Sequence, residues 1–238
     1  MSYFVFKGIN SKEHVTLERI PLTTRPERVT QIIDIPGGEP VIYQSDGYRT
    51  VPVTLQLGIK DTSAEHMDYL NNWLSGAGEI IFSNDLERYQ TAVCNGNLTG
   101  NRLARTLGKM PVSFTFLPFK YSISNEWEEI SLSPTPEHDG KQAWIPYSGT
   151  MFGKPIIKLY GTGELDLQFG VVGIKIRNVR DYCVIDVPQR RVYDKNGNVI
   201  LNETIGNVTD LQLTDMKYIR VSNAVTKFEI KKNTRWLS

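Results

Sequence analysis

The stretch RTVPVTLQL (residues 49–57) alternates polar and apolar side chains along its length. Successive side chains of a β-strand point to opposite faces, so this pattern predicts a half-buried strand. The residues on its apolar face are Val51, Val53, Leu55 and Leu57. Pro52 has no backbone N–H for a hydrogen-bond ladder and is therefore predicted to lie at a sheet edge or a bulge.

The same alternation recurs in both halves of the chain. The residues it places on buried strand faces are Val112, Phe114, Phe116, Leu165, Leu167, Phe169, Ile174 and Ile176. In the second half, short strand patterns recur at intervals of about eight to twelve residues, divided by turn signals such as Asn196-Gly197, as in a β-sandwich. The fold class is therefore predicted to be mainly β.

One segment has helical periodicity instead. Thr62-Ser63-Ala64-Glu65 matches a capping box, in which Thr62 and Glu65 each satisfy a backbone donor at a helix start. An apolar stripe follows at helical spacing, formed by Met67, Leu70, Trp73 and Leu74. The stripe is predicted to pack against the protein's own sheet, and a partner-binding face is the alternative.

A proline-rich, polar segment divides the chain. Residues 131–140 (SLSPTPEHDG) have the composition of a linker. We therefore predict an N-terminal domain over residues 1–135 and a C-terminal domain over residues 136–238. Trp127 and Trp144 flank the linker and are predicted to pack between the domains.

Charge separates the two halves as well. The whole chain carries +1, which argues against a protein that wraps nucleic acid electrostatically. Residues 1–140 contain 12 Lys and Arg against 17 Asp and Glu, a net −5. Residues 141–238 contain 15 against 9, a net +6.

No catalytic, cofactor-binding or metal-binding residue is predicted. Gly161-x-Gly163 lacks the third glycine of a dinucleotide loop and is followed by a strand pattern, which indicates a β-turn. Asp194-x-Asn196-x-Asn198 has its glycine in the wrong place for a calcium loop. The three histidines, His14, His66 and His138, have no metal-ligand spacing. The chain is therefore predicted not to be an enzyme and to need no cofactor.

Cysteine content and hydropathy bear on the cellular compartment. Cys94 and Cys183 lie far apart and form no C-x-x-C pair, so no disulfide framework is predicted. The N-terminus lacks the pattern of a secretion signal, and no segment approaches the ~20 apolar residues of a membrane span. We expect a protein that is made in a cytoplasm and does not enter a membrane by itself.

Residues 34–43 (DIPGGEPVIY) are predicted to form an extended hairpin or arm. Gly37 and Gly38 free its tip, while Pro36 and Pro40 keep its flanks out of a helix. Either the arm reaches a neighbouring subunit or it is an ordinary mobile surface loop.

Several short motifs resemble the distal tail (Dit) proteins of siphophages. In the first half they are Leu70-x-x-Trp73-Leu74, EIIFSND (residues 79–85), and VSFTFLPFKY (residues 112–121). In the second half they are GKPIIKLYGTG (residues 153–163), VID (residues 184–186), VY (residues 192–193) and NTRW (residues 233–236). Leu86 departs from the family, which often has proline after the acidic pair.

The resemblance implies a structural protein of the virion, at the tip of a phage tail or prophage-encoded tail. It implies a β-sandwich-like N-terminal ring domain with one α-helix and a C-terminal galectin-like β-sandwich. Six N-terminal domains would form a ring that joins the tail tube protein to a tail-associated hub or lysin protein. A receptor-binding or baseplate protein would attach at the periphery, and DNA would pass through the lumen without specific binding.

Two rival functions remain at this point. One is a carbohydrate-binding β-sandwich for host adhesion, and the other is a small tail enzyme that acts on cell-wall glycan. Galectin-type sugar binding uses a histidine-containing cluster, and residues 141–238 contain no histidine. That type of site is therefore not expected in its usual form.

Overall fold

The computed structural model describes residues 2–22, 25–94, 101–104, 107–135 and 139–237. The chain forms two compact units, of which unit 1 contains residues 1–123 and 237–238 and unit 2 contains residues 124–236. The elements of unit 1 are β1 (Phe4–Phe6), β2 (Ile9–Asn10), a 3₁₀ turn (Ser11–Glu13), β3 (Val15–Leu17), β4 (Arg28–Ile33), β5 (Val41–Tyr48), β6 (Val51–Ile59), α1 (Ala64–Trp73), β7 (Gly76–Phe82), β8 (Arg88–Cys94), β9 (Asn101–Ala104) and β10 (Leu107–Ser122).

The elements of unit 2 are β11 (Glu128–Glu129), β12 (Ser133–Pro134), β13 (Lys141–Pro146), β14 (Ile156–Gly161), β15 (Gly163–Phe169), β16 (Val172–Val179), β17 (Tyr182–Asp186), β18 (Arg191–Asp194), β19 (Thr204–Ile205), β20 (Met216–Val221) and β21 (Val225–Lys231), with 3₁₀ turns at Leu201–Glu203 and Val208–Asp210. The last strand, β22 (Arg235–Leu237), begins in unit 2 and ends in unit 1. The mainly β fold class predicted from the alternation is confirmed.

Unit 2 begins at residue 124, which is earlier in the sequence than the boundary predicted after residue 135. The segment interpreted as a linker lies in unit 2, because β11 pairs with β21 and β12 pairs with β13. Both strands are only two residues long and therefore carry no periodic signal. Trp127 and Trp144 both belong to unit 2 and are 38% and 59% exposed.

Unit 1 is built on one antiparallel sheet with the strand order β2-β1-β7-β8-β10-β6-β3. The predicted inward face of β6 is confirmed, since Leu55 and Leu57 are 1% exposed and their polar neighbours are exposed. Phe114 and Phe116 of β10 are equally buried. The alternation therefore determines which sheet face forms the core.

Helix α1 packs against this core, as predicted. Leu70 and Leu74 are fully buried, and the Trp73 ring stacks on Phe4 with ring centroids 5.8 Å apart. The Trp73 Nε1–H donates to the Phe6 carbonyl at 3.0 Å, which satisfies the only polar atom of a buried side chain. None of the described helices is both long and apolar enough to cross a membrane.

The helix cap differs from the predicted capping box. Ser63, not Thr62, is the N-cap residue, and its Oγ accepts a hydrogen bond from the His66 N–H at 3.3 Å. Glu65 therefore lies one position too early to close the box. Asp61 supplies the additional acceptor, since its Oδ1 binds the Ser63 N–H at 2.8 Å. This hydrogen bond lowers the pKa of Asp61.

Replacing the cap serine tests this assignment. We expect Ser63→Ala to lower the free energy of unfolding by about 1 kcal/mol, because a first-turn N–H loses its acceptor. Ser63→Thr keeps a hydroxyl acceptor and should retain most of the stability. Urea denaturation of both variants measures the difference, and equal losses would contradict the assignment.

Unit 2 is a β-sandwich. A five-stranded sheet of order β11-β21-β14-β17-β18 faces a six-stranded sheet of order β12-β13-β20-β15-β16-β19. Both sheets contribute to one core, for which Leu159 and Phe228 of the first and Leu167 and Ile219 of the second are examples. The predicted buried faces of β15 and β16 are confirmed.

Candidate assembly surface

The most exposed apolar segment of the described chain is a hairpin in unit 1, residues 28–48, here called the arm. Among the described residues, strands β4 and β5 pair only with each other, and their register places Ile32 opposite Ile42. The Gly38 N–H donates to the Ile35 carbonyl at the tip, where Gly37 has φ +78°. The predicted hairpin is confirmed, and it is longer than the ten residues that suggested it.

The arm exposes apolar side chains on both of its faces. Ile32 and Ile42 are 64% exposed, and Tyr43 is 59% exposed. Other arm residues with large apolar exposure are Val29, Ile33, Ile35 and Val41. A two-stranded hairpin is marginally stable in water by itself, and contiguous exposed apolar surface marks an interaction site. The arm therefore has the properties of a segment that is covered by another chain.

The base of the arm is held to the rest of unit 1. The Arg49 N–H donates to the Glu27 carbonyl at 2.8 Å, which joins the two ends of the hairpin. The Tyr48 ring meets Phe119 of β10 edge to face, with centroids 5.6 Å apart. The exposed residues thus begin beyond an anchored base.

A second feature of unit 1 is the edge of the sheet at β6. Strand β3 pairs with residues 57–59 of β6, and the Glu18 N–H donates to the Gln56 carbonyl. Among the described residues, no further main-chain hydrogen bond forms on that side of β6. The first half of β6 therefore has β10 on one side and an unpaired edge on the other.

The backbone orientation at this edge follows from the strand geometry. A residue's N–H and C=O point to the same side of an antiparallel strand, and alternate residues share that side. Because Gln56 points toward β3, Thr54 and Pro52 point toward the unpaired edge. Pro52 is tolerated there since its missing N–H would not serve the β10 ladder. The edge prediction for Pro52 is confirmed, and the Thr54 N–H and C=O have no main-chain partner among the described residues.

Two histidines that are distant in sequence lie close together in unit 1, and the sequence did not predict this cluster. His14 and His66 lie 52 residues apart in sequence, and the His66 Nε2 is 3.3 Å from the His14 carbonyl. The Tyr69 hydroxyl is 3.1 Å from the His14 Nε2, and the His14 ring lies 5.6 Å from that of Trp73. These contacts join α1 to the turn before β3. His138 lies outside the described residues.

The remaining motifs are turns. Gly163 follows the end of β14 with φ +93° and begins β15, so Gly161-x-Gly163 is a strand connection. Asp194 Oδ1 accepts from the N–H groups of Asn196 and Asn198, at 2.9 and 2.8 Å. The Asn198 side-chain hydrogen bond lowers the pKa of Asp194. Within the described ranges, no three His, Cys, Asp or Glu side chains are grouped as metal ligands.

Comparison with known proteins gives a match in fold. No protein-family model and no curated protein sequence matches the chain. The crystal structure of the SPP1 Dit protein (gp 19.1), a hub of the adsorption apparatus in phages that infect Gram-positive bacteria, superposes with a TM-score of 0.77. The superposition covers 100% of both chains at 15% sequence identity. The chain is therefore similar in fold, over its whole length, to the SPP1 Dit protein, as the sequence resemblance predicted.

Proposed function

We propose that the protein is a structural component of a phage tail tip, in which six copies form a ring through unit 1. The exposed apolar arm is the observation that carries this proposal, because it is unfavourable in a monomer in water and is explained if a neighbouring copy covers it. The unpaired edge of β6 supplies a second contact, since such edges are templates for strand addition between chains.

The fold suggests the partners of this ring. SPP1 Dit is described as a hub of an adsorption apparatus, and we infer the same place for this chain. The ring would join the tail tube protein to the tail-associated hub or lysin protein and carry a receptor-binding or baseplate protein at its periphery. It would be assembled in the bacterial cytoplasm and would have no catalytic role.

The mass and shape of the purified protein test the ring. We expect light scattering to give six times the chain mass, and negative-stain images to show rings with an open centre. Co-expression with the tail tube protein supplies a neighbour in case the ring assembles only on it. A strictly monomeric protein at high concentration, together with no rings in the co-expressed sample, overturns the proposal.

The charge difference bears on how DNA would pass. Each Lys or Arg facing DNA adds attraction through counterion release, so a conduit functions best with an acidic or neutral lumen. Residues 1–140, at net −5, would supply that lumen. We expect assembled rings to retain no double-stranded DNA in a gel-shift assay, even at about 50 mM salt. Salt-dependent retention by intact rings would contradict this prediction.

A further inference from the structure

The outward face of the six-stranded sheet of unit 2 contains a groove. A cavity of about 210 Å³ and another of about 520 Å³ adjoin on this face, and both are lined by Asp166 and Gln168. Gly173 lies in the wall of the larger cavity, and a Cβ added there would meet no atom within 4 Å. The groove thus follows the sheet across β15 and β16.

A row of three polar side chains crosses three strands along this groove and ends at Gly173 on a fourth. In the register of the sheet, Gln142 is opposite Arg220, Arg220 is opposite Gln168, and Gln168 is opposite Gly173. Their sequence neighbours Ala143, Ile219, Val221, Leu167 and Phe169 are buried in the core. Because side chains alternate between faces, the row is on the outer face of the sheet.

Two residues that line the smaller cavity each have a buried polar atom without a hydrogen-bond partner among the described residues. Arg220 Nε and Thr135 Oγ1 are both shielded from solvent, and neither forms a hydrogen bond with the described residues. A shielded polar group without a partner is costly, and such groups are rare in folded proteins.

An aromatic pair borders the polar row. Trp144 lies opposite Tyr218, with ring centroids 4.9 Å apart, and is 59% exposed. The Tyr218 hydroxyl donates to Gln142 Oε1 at 2.5 Å, and the Arg220 guanidinium lies 5.8 Å from the centre of the Tyr218 ring. The exposed Trp144 ring therefore packs on Tyr218, beside the hydrogen-bonding groups of Gln142 and Arg220.

The charges beside the groove are largely paired. Lys175 Nζ is 2.7 Å from Glu164 and 3.6 Å from Asp166, and Arg177 Nε is 3.5 Å from Glu164. The hydrogen bond from Lys175 lowers the pKa of Glu164, which keeps this carboxylate ionised. The larger cavity thus has little unpaired charge to select an ionic ligand.

We propose that this groove binds a neutral saccharide, such as a glycan of the host cell surface. The Trp144 ring, which lies outside both cavities, would stack on the C–H face of one sugar ring, while Arg220 and Gln168 would bond to hydroxyl groups of the next ring. A hydroxyl both donates and accepts, and the groove offers a carboxylate acceptor, a guanidinium donor and an amide that does both. A protein partner would instead cover a flatter surface with an apolar centre.

This site is independent of ring formation and differs from a galectin-type site in containing no histidine. The test uses the full chain with lactose, maltotriose, N,N′-diacetylchitobiose and rhamnose, measured by saturation-transfer NMR. We expect at least one sugar to bind with a Kd on the order of 1 mM. Trp144→Ala should weaken that binding about tenfold by removing the stacking ring.

Two further variants separate the groove from general surface effects. Gly173→Leu adds a large side chain to the wall of the groove, at a position where a Cβ meets no atom within 4 Å, and should abolish binding. Trp127→Ala removes another half-exposed tryptophan, next to β11 of the opposite sheet, and should leave binding unchanged. Equal loss in Trp127→Ala and Trp144→Ala overturns the proposal.

Two other outcomes also overturn the proposal. One is no binding by any of these sugars at about 10 mM, ten times the expected Kd. The other is a loss of partner tail proteins from Gly173→Leu without a loss of sugar binding, which would assign the groove to a protein contact. Ring formation by the same variants reports on the proposed tail-tip role separately, because neither change touches unit 1.

Discussion

Replacing Ile32 and Ile42 by serine should convert the ring into folded monomers. The two side chains are directly paired across the arm, and each is 64% exposed in the single chain. If a neighbouring copy covers them, the double substitution removes roughly 3 kcal/mol of apolar burial from each interface. A loss of this size lowers the association constant about 100-fold.

Stability of the isolated chain should hardly change in this variant. Exposed side chains outside the core contribute within about 0.5 kcal/mol to the free energy of unfolding. Thermal unfolding of the monomer is therefore expected to remain at its original midpoint, while light scattering reports the loss of rings. A second variant deletes residues 36–40. This deletion removes the tip of the arm and should also weaken ring assembly.

A matched control uses apolar residues of similar exposure outside the arm. Leu86 and Val199 are 55% and 51% exposed; Leu86 lies in a turn of unit 1, and Val199 forms a β-bridge with Tyr193 in unit 2. Leu86→Ser with Val199→Ser removes comparable apolar surface and should leave the rings intact. Rings that survive the Ile32→Ser and Ile42→Ser changes would show that the arm has no role in assembly.

The sequence predicted those parts of the fold that depend on local pattern. Alternation identified the buried residues of β6 and β10, because one face of each strand meets a core. Helical spacing identified the face of α1 that contains Leu70. The capping-box motif indicated the wrong cap residue, Thr62 instead of Ser63. Both residues carry a hydroxyl that can cap a helix, and which of them does so depends on where the chain turns.

Other features depend on tertiary structure and leave no local signal. The pairing of β12 with β13 brings a segment that reads as a linker into unit 2. His14 and His66 meet only because α1 packs beside the turn before β3. The groove of unit 2 likewise depends on a register that places Gln142, Arg220 and Gln168 in one row. None of these contacts can be read from spacing along the chain.

The unpaired edge of β6 was only partly visible in the sequence. Pro52 indicates that some edge is present, but the position of that edge depends on where β3 stops pairing. In the structure the ladder reaches residue 57, and one further hydrogen bond reaches Gln56. The backbone N–H of Thr54 is consequently the first donor of β6 that a strand from a neighbouring copy could use.

Thr54→Pro should therefore prevent ring formation and leave the subunit folded. Proline removes the N–H on the unpaired side and places its ring where an added strand would lie, whereas the β10 ladder uses the alternate residues of β6. Thr54→Val is the matched control, because it keeps the N–H and a β-branched side chain. Both variants lose the Thr54 hydroxyl contact with Ser113, at 3.3 Å, so their subunit stabilities can be compared directly.

The expected result is rings from Thr54→Val and monomers from Thr54→Pro, with near-ultraviolet circular dichroism spectra that match. A missing donor costs about 1 kcal/mol per interface, and the displaced strand loses its adjacent hydrogen bonds as well. Light scattering over a concentration series gives the difference in association. If Thr54→Pro is folded and forms rings as readily as Thr54→Val, strand addition at β6 does not hold the ring together, and the arm must provide the contact alone.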